Sequence, residues 1–411
     1  MQATQLGNCE LYLNSMRILY IHQHFATLQS ASGIRSFVFS RALAAAGHQV
    51  TVITSERFLP SEYKNKSRFH IGKVEIINIR SGYTLKLNFR QRILSFLTFM
   101  LTATYWGLRT PADIVFATST PLTTAIPGLV VKMIKHIPFV FEVRDLWPDV
   151  PVELGFLKNP VIIGLARGLE RLTYRVADRI IGISEGICQK IPVSSEKKIS
   201  IPTGCDFSQY SLSKDTAWKQ AVGIKEDVLF VLTGAIGVAN EPQYLLEAAK
   251  LLKERGVRNI AIAMVGDGSA KEKVQQIKRD FRLGNVYLFD PVQKKEIPHI
   301  LAAADGGIIL HGVSPTYRET AAPNKLFDYI AAGLPIIFNF EGPMRDLLVL
   351  HKAGYYVDHR YPENLCNIMI HLASNPIECL NAGRNAHNLA EDFFDQKKMA
   401  EVFVKVISQW P

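Results

Sequence analysis

DVLFVLTGAIGVANEPQYLLEAAKLL (residues 227–252) reads as a strand, a tight turn and a helix in succession. The apolar run 229–233 stops at Gly234, Gly237 follows three residues later, and an amphipathic helical pattern occupies 242–254. A glycine turn between a strand and a helix can aim backbone amides and the helix dipole at an anion such as a pyrophosphate, and a plain strand–helix turn uses the same residues. Just upstream, IPTGCDFSQYSLSKDTAW (201–218) breaks all periodicity with Gly, Pro, Ser and Asp, which marks a domain junction near 203–215. The alternation seen at 227–252 therefore starts a second unit.

Outward from that junction the pattern repeats on both sides. Strands are expected at 18–22, 49–55, 74–79, 114–118, 139–143, 179–183 and 199–201, with helices at 34–46, 90–107, 122–135, 160–176 and 185–190. The second unit carries strands at 229–233, 260–266, 286–288, 307–310, 335–338 and 354–357, helices at 242–254 and 269–281, and a terminal helix at 396–410. Short β-branched runs alternating with helical patterns are the sequence form of a parallel sheet covered on both faces, an α/β fold. A chain of 411 residues exceeds what one core usually organises, so two domains are expected.

Composition sets the class of partner. With 48% hydrophobic, 20% charged and 10% aromatic residues and no biased tract, the chain is an ordinary globular protein. Cys9, Cys188, Cys205, Cys366 and Cys379 are scattered with no close pair, which fits a reducing compartment. Residues 1–15 lack a basic start and an apolar core and do not read as a secretory signal, and Met16 opens the first strand with MRILYIHQHF. The net charge of +10 divides into +11 for residues 1–205 and −1 for residues 206–411. Such a first half can attract an anionic membrane surface or a phosphate-bearing partner, or form a merely solvated basic face. Nucleic acid is not expected, because no zinc-finger spacing, RNP-like strand or basic heptad accompanies the charge. The longest apolar stretch, 93–107 between Arg92 and Arg109, is too short to cross a bilayer, leaving a buried helix or an interfacial anchor.

Ligands of open α/β sheets bind beyond the strand carboxyl ends, so the loops there hold the candidates. Gly33 ends the first such loop, just before a helix. No G-x-G-x-x-G or P-loop occurs, Gly266-Asp267-Gly268 being the nearest approach, and no H-E-x-x-H or D-x-D run supports a metal. In SPTYRETAAPNKLFDYIAAGLPII (314–337), Pro323 is expected as the first residue of a helix, with Lys325 in its first turn and Asp328 on the same face. A cation for phosphates and a carboxylate for ribose hydroxyls make a nucleotide grip; a surface ion pair is disfavoured because Leu326, Phe327, Ile330 and Ala331 bury this helix.

The segments ASGIRSFVFSRALAAAGHQVTVIT, FATSTPLTTAIPGL, FEVRDLWPDVPVELGF, ADRIIGISEGI, IPTGCD, TGAIGVAN, VGDGS and PNKLFDYIAAGLPII together resemble the family-4 (group 1) retaining glycosyltransferases of the GT-B fold, particularly a bacterial surface-polysaccharide branch that includes fucosamine-type transferases. The resemblance implies two facing Rossmann-like domains with parallel sheets and an interdomain cleft: an acceptor domain at 16–206, to which 396–411 returns, and a nucleotide-sugar domain at 207–395. It implies a nucleotide-sugar donor, UDP-linked by analogy, as co-substrate, no metal or other cofactor, and retention without an enzyme nucleophile. Lys325 would neutralise the diphosphate and Asp328 would hold the ribose, with Gly33, Gly237, Asn240, Gly266, Pro323 and Asn324 as further donor contacts. The family's earlier carboxylate position is Thr320 here, with Glu319 beside it, and either can be the one that meets the donor sugar. Arg318 is a stand-in for the cations that many members place after the Gly237 turn. Arg35, Ser119, Arg144 and Trp147 would contact the acceptor, a lipid-linked saccharide, and Asp145 would orient it. The protein is then expected in the cytoplasm, peripheral on the inner face of the membrane. A donor-binding scaffold subunit and a nucleotide-sugar epimerase are the competing readings of the same fold.

Overall fold

A computed structural model describes residues 15–82, 89–312 and 314–410. In its first half β1 (Arg17–Ile21), β2 (Gln49–Ser55), β3 (Arg68–Ile71), β4 (Val74–Ile79), β5 (Ile114–Thr118), β6 (Phe139–Val143), β7 (Arg179–Gly182) and β8 (Lys198–Ser200) form one sheet, ordered β3-β4-β2-β1-β5-β6-β7-β8. β5 (IVFAT) and β6 (FVFEV) are buried at every position, as strands covered by helices on both faces must be. The second sheet holds β9 (Val228–Thr233), β10 (Ile260–Val265), β11 (Val286–Phe289), β12 (Gly306–Ile309), β13 (Ile336–Phe338) and β14 (Gly354–Tyr356) in the order β11-β10-β9-β12-β13-β14. Strands expected at 49–55, 74–79, 114–118 and 139–143 form over those residues.

The strand that sequence reading missed is β3, antiparallel to β4 through the two-residue loop Gly72-Lys73. Gly72 takes φ +60°, as tight hairpin loops require. RFHI is short and half polar, and an antiparallel strand at the edge of a parallel sheet leaves little periodic signal. Pro323 is also shifted by one position: it precedes the helix Asn324–Ala331 in extended backbone and does not begin it.

In each sheet the chain winds one way and then returns past its first strand, so the order reverses between β1 and β5 and between β9 and β12. Those switch points open the crevices in which ligands of such sheets bind. Here the two carboxyl edges face each other. The Ser30 carbonyl after β1 accepts from the Lys294 amide after β11 (3.1 Å), and Ser184 Oγ after β7 donates to the Thr320 carbonyl (2.8 Å). Chain crossings close the far end: the Cys205 amide donates to Phe394, and Gln396 donates back to Cys205. The helix Gln396–Ile407 then packs on the first half, stacking Phe403 on Phe39 at 4.4 Å and edge-on against Phe116.

Beneath the first switch point lies a sealed ion pair. Arg35, in the helix Arg35–Ala45, meets Glu142 of β6 at 2.8 Å with both side chains 0% exposed. Its remaining donor reaches the Pro202 carbonyl (2.7 Å), Thr118 Oγ1 donates to the other carboxylate oxygen (2.7 Å), and the guanidinium lies 4.2 Å over the Phe39 ring. Removing one partner of such a pair leaves an uncompensated buried charge, at a cost of about 3–5 kcal/mol. Urea unfolding should therefore show Arg35→Met or Glu142→Leu destabilised by about that amount, and the double variant recovering much of the loss. Single variants as stable as the parent would contradict the ion pair's role.

Candidate functional site

The turns after β9 and β10 are packed backbone on backbone. Gly234 takes φ +102°, and a Cβ on Gly266 would lie 1.8 Å from the Gly234 carbonyl oxygen. A Cβ on Gly268 would lie 2.4 Å from the Ile236 carbonyl oxygen. Gly266, expected as a donor contact, is thus required first by turn packing. The Gly234 and Ile236 amides donate to Val265 and Asp267 and are spent inside this pair of turns. Asn240 donates its side-chain amide to the Ala235 carbonyl (2.9 Å) and braces the loop from within. Gly237 has ordinary extended backbone and room for a side-chain carbon; a Cβ there would make ordinary contact with Ser269 Oγ at 3.9 Å.

What the turn presents is a cation. A Cβ on Gly234 would stand 3.8 Å from Lys325 Cε, and the Lys325 ammonium is buried with no hydrogen-bond partner among the described residues. Burial pulls its pKa down to about 8, because a charge removed from water favours its neutral form. Lys325 lies in the first turn of Asn324–Ala331, where the helix dipole adds to the positive potential. Asp328, one turn on, goes elsewhere: it pairs with Lys294 and accepts from the Tyr210 hydroxyl (2.8 Å). These three residues line an interdomain pocket with Gly33, Thr203 and Asn324. Gly33 has no positive φ; a Cβ there would meet Asn324 Nδ2 at 2.3 Å, so close approach of the two halves explains it. Thr203 donates to Asn324 Oδ1 at 3.3 Å.

The two residues offered for the donor sugar are engaged otherwise. Glu319 is half-buried and pairs with Lys190 across the seam at 2.5 Å, while the Thr320 hydroxyl donates to the Thr316 carbonyl. Arg318 is likewise occupied: its guanidinium donates to the Asn339 carbonyl and Glu341 and contacts His359.

On the first half, Arg35 cannot reach an acceptor; the sealed pair with Glu142 uses it, and this corrects the expectation from ASGIRSF. Ser119 is buried and accepts from the Arg144 amide (2.9 Å), so it fixes the loop after β6. That loop carries Arg144, whose guanidinium lies 3.3 Å from His22 Nε2, and Asp145, whose carboxyl is raised by burial against the opposing pull of Arg144. Trp147 packs half-buried on the core of its own half. Sequence reading missed the residues opposite. Tyr317 packs on that core from the second half, and burial and Asp145 together push its phenol upward. His311 stacks on Tyr317 (4.2 Å, 17° between planes). Glu153 accepts from Ser314 Oγ (2.5 Å), the Thr316 amide (3.0 Å) and Thr316 Oγ1 (2.6 Å), latching the helix Pro315–Glu319. The sequence signals were HQH directly after β1, a histidine two residues beyond β12, and the places of Glu153 in FEVRDLWPDVPVELGF and of Tyr317 in SPTYRETAAPNKLFDYIAAGLPII. Burial and the Arg144 charge keep His22 neutral, and burial and Lys325 lower His311 to about 3.

The chain matches two family models in tandem, the glycosyl transferase 4-like domain over residues 35–192 and glycosyl transferases group 1 over residues 214–389. It is 27% identical over 202 residues to the Bacillus subtilis protein TuaH, named as a glycosyltransferase of teichuronic acid biosynthesis; the match takes in 48% of this chain and about half, 49%, of that relative. Sucrose-phosphate synthase from Thermosynechococcus elongatus superposes with a TM-score of 0.72 at 14% identity, covering 96% of this chain and 98% of that one. Anabaena HepE in complex with UDP-glucose superposes with a TM-score of 0.70 at 16% identity, covering 96% and 99%. Matched in both halves by the paired domain models, and with the architecture of these enzymes, the chain belongs to the group 1 glycosyltransferases of the GT-B fold.

Proposed function

We propose that the protein transfers a sugar from a UDP-sugar to a lipid-linked saccharide in the assembly of a bacterial surface polysaccharide, with retention of configuration and without a metal. One observation carries this reading: a lysine ammonium buried without a partner among the described residues, beside the β9 turn at the mouth of the second switch point. Burying a charge is costly unless it is paired, and a donor diphosphate supplies the missing charge. In this reading Lys325 and the first turn of its helix stabilise the leaving diphosphate. In this reading the Asp328 carboxylate, held at Oδ1 by Lys294 and Tyr210, takes the ribose through its other oxygen. Asp145 and Arg144 face the acceptor from the other edge, and the acceptor hydroxyl attacks on the side the diphosphate leaves, passing its proton to a departing phosphate oxygen. Glu319 and Thr320 have no part, since their side chains are committed to Lys190 and Thr316. Teichuronic acid synthesis by a relative and the resemblance to the fucosamine-type branch favour a polysaccharide product.

The lipid-linked acceptor is supported by an exposed face. The helices Phe89–Arg109 and Pro160–Val176 lie on the same side of the first sheet and share its core. Leu94, Leu97 and Leu101 of one and Val161, Leu165 and Leu172 of the other are exposed. Each helix follows a strand and runs back along it, so Leu94, Leu97, Val161 and Leu165 lie towards the carboxyl edge that carries Arg144 and Asp145. Residues 76–112 contain five basic and no acidic residues, a bias that suits an anionic surface. Among the described residues no helix is long and apolar enough to cross a membrane. We assign this face to the surface of an anionic membrane, and in this reading the protein works at the cytoplasmic leaflet.

Two measurements test these readings. In a thermal-shift screen of UDP, GDP, ADP and TDP sugars, a ligand at 100 times its dissociation constant adds about 2.7 kcal/mol of stability. UDP-sugars should raise the melting temperature and Lys325→Ala should abolish the shift; no shift with any donor would favour a scaffold role. In vesicle co-sedimentation, the protein should bind phosphatidylglycerol-containing vesicles over pure phosphatidylcholine, and Leu101→Ser/Leu165→Ser should release it. No recovery with either lipid would remove the membrane from the account, and equal recovery with both would remove the role of its charge.

A further inference from the structure

β12 ends at the switch point of the second sheet, and the residues that follow it are held from several sides. The Asn339 side chain accepts from the His311 amide (2.7 Å) and donates to the His311 carbonyl (3.0 Å). The Gly312 amide donates to Ala239 (2.8 Å), tying the segment to the loop that Lys325 faces. The His311 ring is fixed by packing, stacked on Tyr317 with Phe340 at 5.6 Å. Both ring nitrogens are buried and neither makes a hydrogen bond of good geometry among the described residues, though the Tyr317 backbone lies close enough to act on the ring. The charge of Lys325 acts on this ring, and the charge of Asp145 acts on its stacking partner Tyr317. The imidazole is thus within electrostatic reach of the cation assigned to the diphosphate and is stacked on a ring that the carboxylate assigned to the acceptor acts on.

We propose that His311 is a further catalytic residue, a neutral imidazole whose N–H donates to the phosphate oxygen that departs with the nucleotide. This rests on the donor reading above and extends it. In the step, the bond from the sugar C1 to the diphosphate oxygen breaks and its electron pair stays on that oxygen. The acceptor oxygen forms the new bond to C1, and its proton passes to a departing phosphate oxygen. The imidazole keeps its own proton throughout. A donor already fixed in a dry site needs no reorientation as charge develops, and removing one such donor typically costs about 100-fold or more in rate. The competing role is packing alone, with His311 as a flat ring between Tyr317 and Phe340.

The test compares His311→Phe, which keeps a flat ring without N–H, with His311→Gln, which keeps a donor without the ring, in the full chain. UDP affinity is measured by calorimetry, and turnover as UDP release from UDP-glucose, UDP-galactose and UDP-N-acetylglucosamine. The expected result is UDP affinity within about tenfold of the parent in both variants, turnover lower by about 100-fold in His311→Phe, and partial recovery in His311→Gln. Parental turnover in His311→Phe would overturn the proposal. So would loss of UDP binding in both variants together with a lowered melting temperature, which would make the ring a structural support. A parent chain that fails to bind UDP would instead refute the donor reading and this proposal with it.

Discussion

Two open parallel sheets whose carboxyl edges are pressed together bury every loop that matters in one seam, and charge in that seam must be matched or it is costly. The first half matches its deepest charge internally: Arg35 and Glu142 neutralise each other with no exposure. The second half leaves Lys325 unmatched among the described residues. Lowering an ammonium from its ordinary 10.5 to about 8 corresponds to about 3 kcal/mol held in the seam at neutral pH. An anion that brings its own charge to Lys325 releases that cost, so the burial that destabilises the protein alone strengthens its grip on such a ligand.

The surrounding contacts hold this seam closed. Glu153 latches the helix Pro315–Glu319, Ser184 holds the Thr320 carbonyl, and Gly33 admits Asn324. These contacts bring Tyr317, with His311 stacked on it, within reach of Asp145. Imidazoles kept neutral by burial and by nearby cations can donate or accept hydrogen bonds without adding positive charge. In the proposed reading Lys325 and the neutral His311 serve the leaving group, and Asp145 and Arg144 face the acceptor.

Much of the fold was legible because covered parallel strands are nearly continuous apolar runs, as IVFAT and FVFEV are. Sites were harder to read. PNKLFDYIAAG announced Lys325 through its place in a buried helix, yet Asp328 turned to Lys294, a partner 34 residues away that no local pattern indicates. Arg35 was expected at the acceptor from the resemblance, and only Glu142, 107 residues on, shows why it is buried. Gly266 was legible as a glycine that matters but not for its reason, which is the Gly234 carbonyl beneath it. Glu153 and Tyr317 lie inside quoted segments that gave them no role, and His311 lies in none; their meaning comes from which edges the topology brings face to face.

The central claim is that Lys325 meets the donor diphosphate, and proton uptake on binding UDP tests it most directly. With a pKa of about 8 before binding, the ammonium is half neutral at pH 8; a bound diphosphate raises that pKa and draws the missing proton in. His22 and His311 have pKa values lowered far below this range and contribute nothing there. Calorimetry at pH 8 in buffers of different ionisation enthalpy should therefore give an uptake of about half a proton per UDP. Uptake should fall towards zero well below pH 8 and be absent in Lys325→Met, with UDP affinity weakening as pH rises above 8. Binding with no proton uptake at pH 8, or with identical linkage in Lys325→Met, would contradict the account.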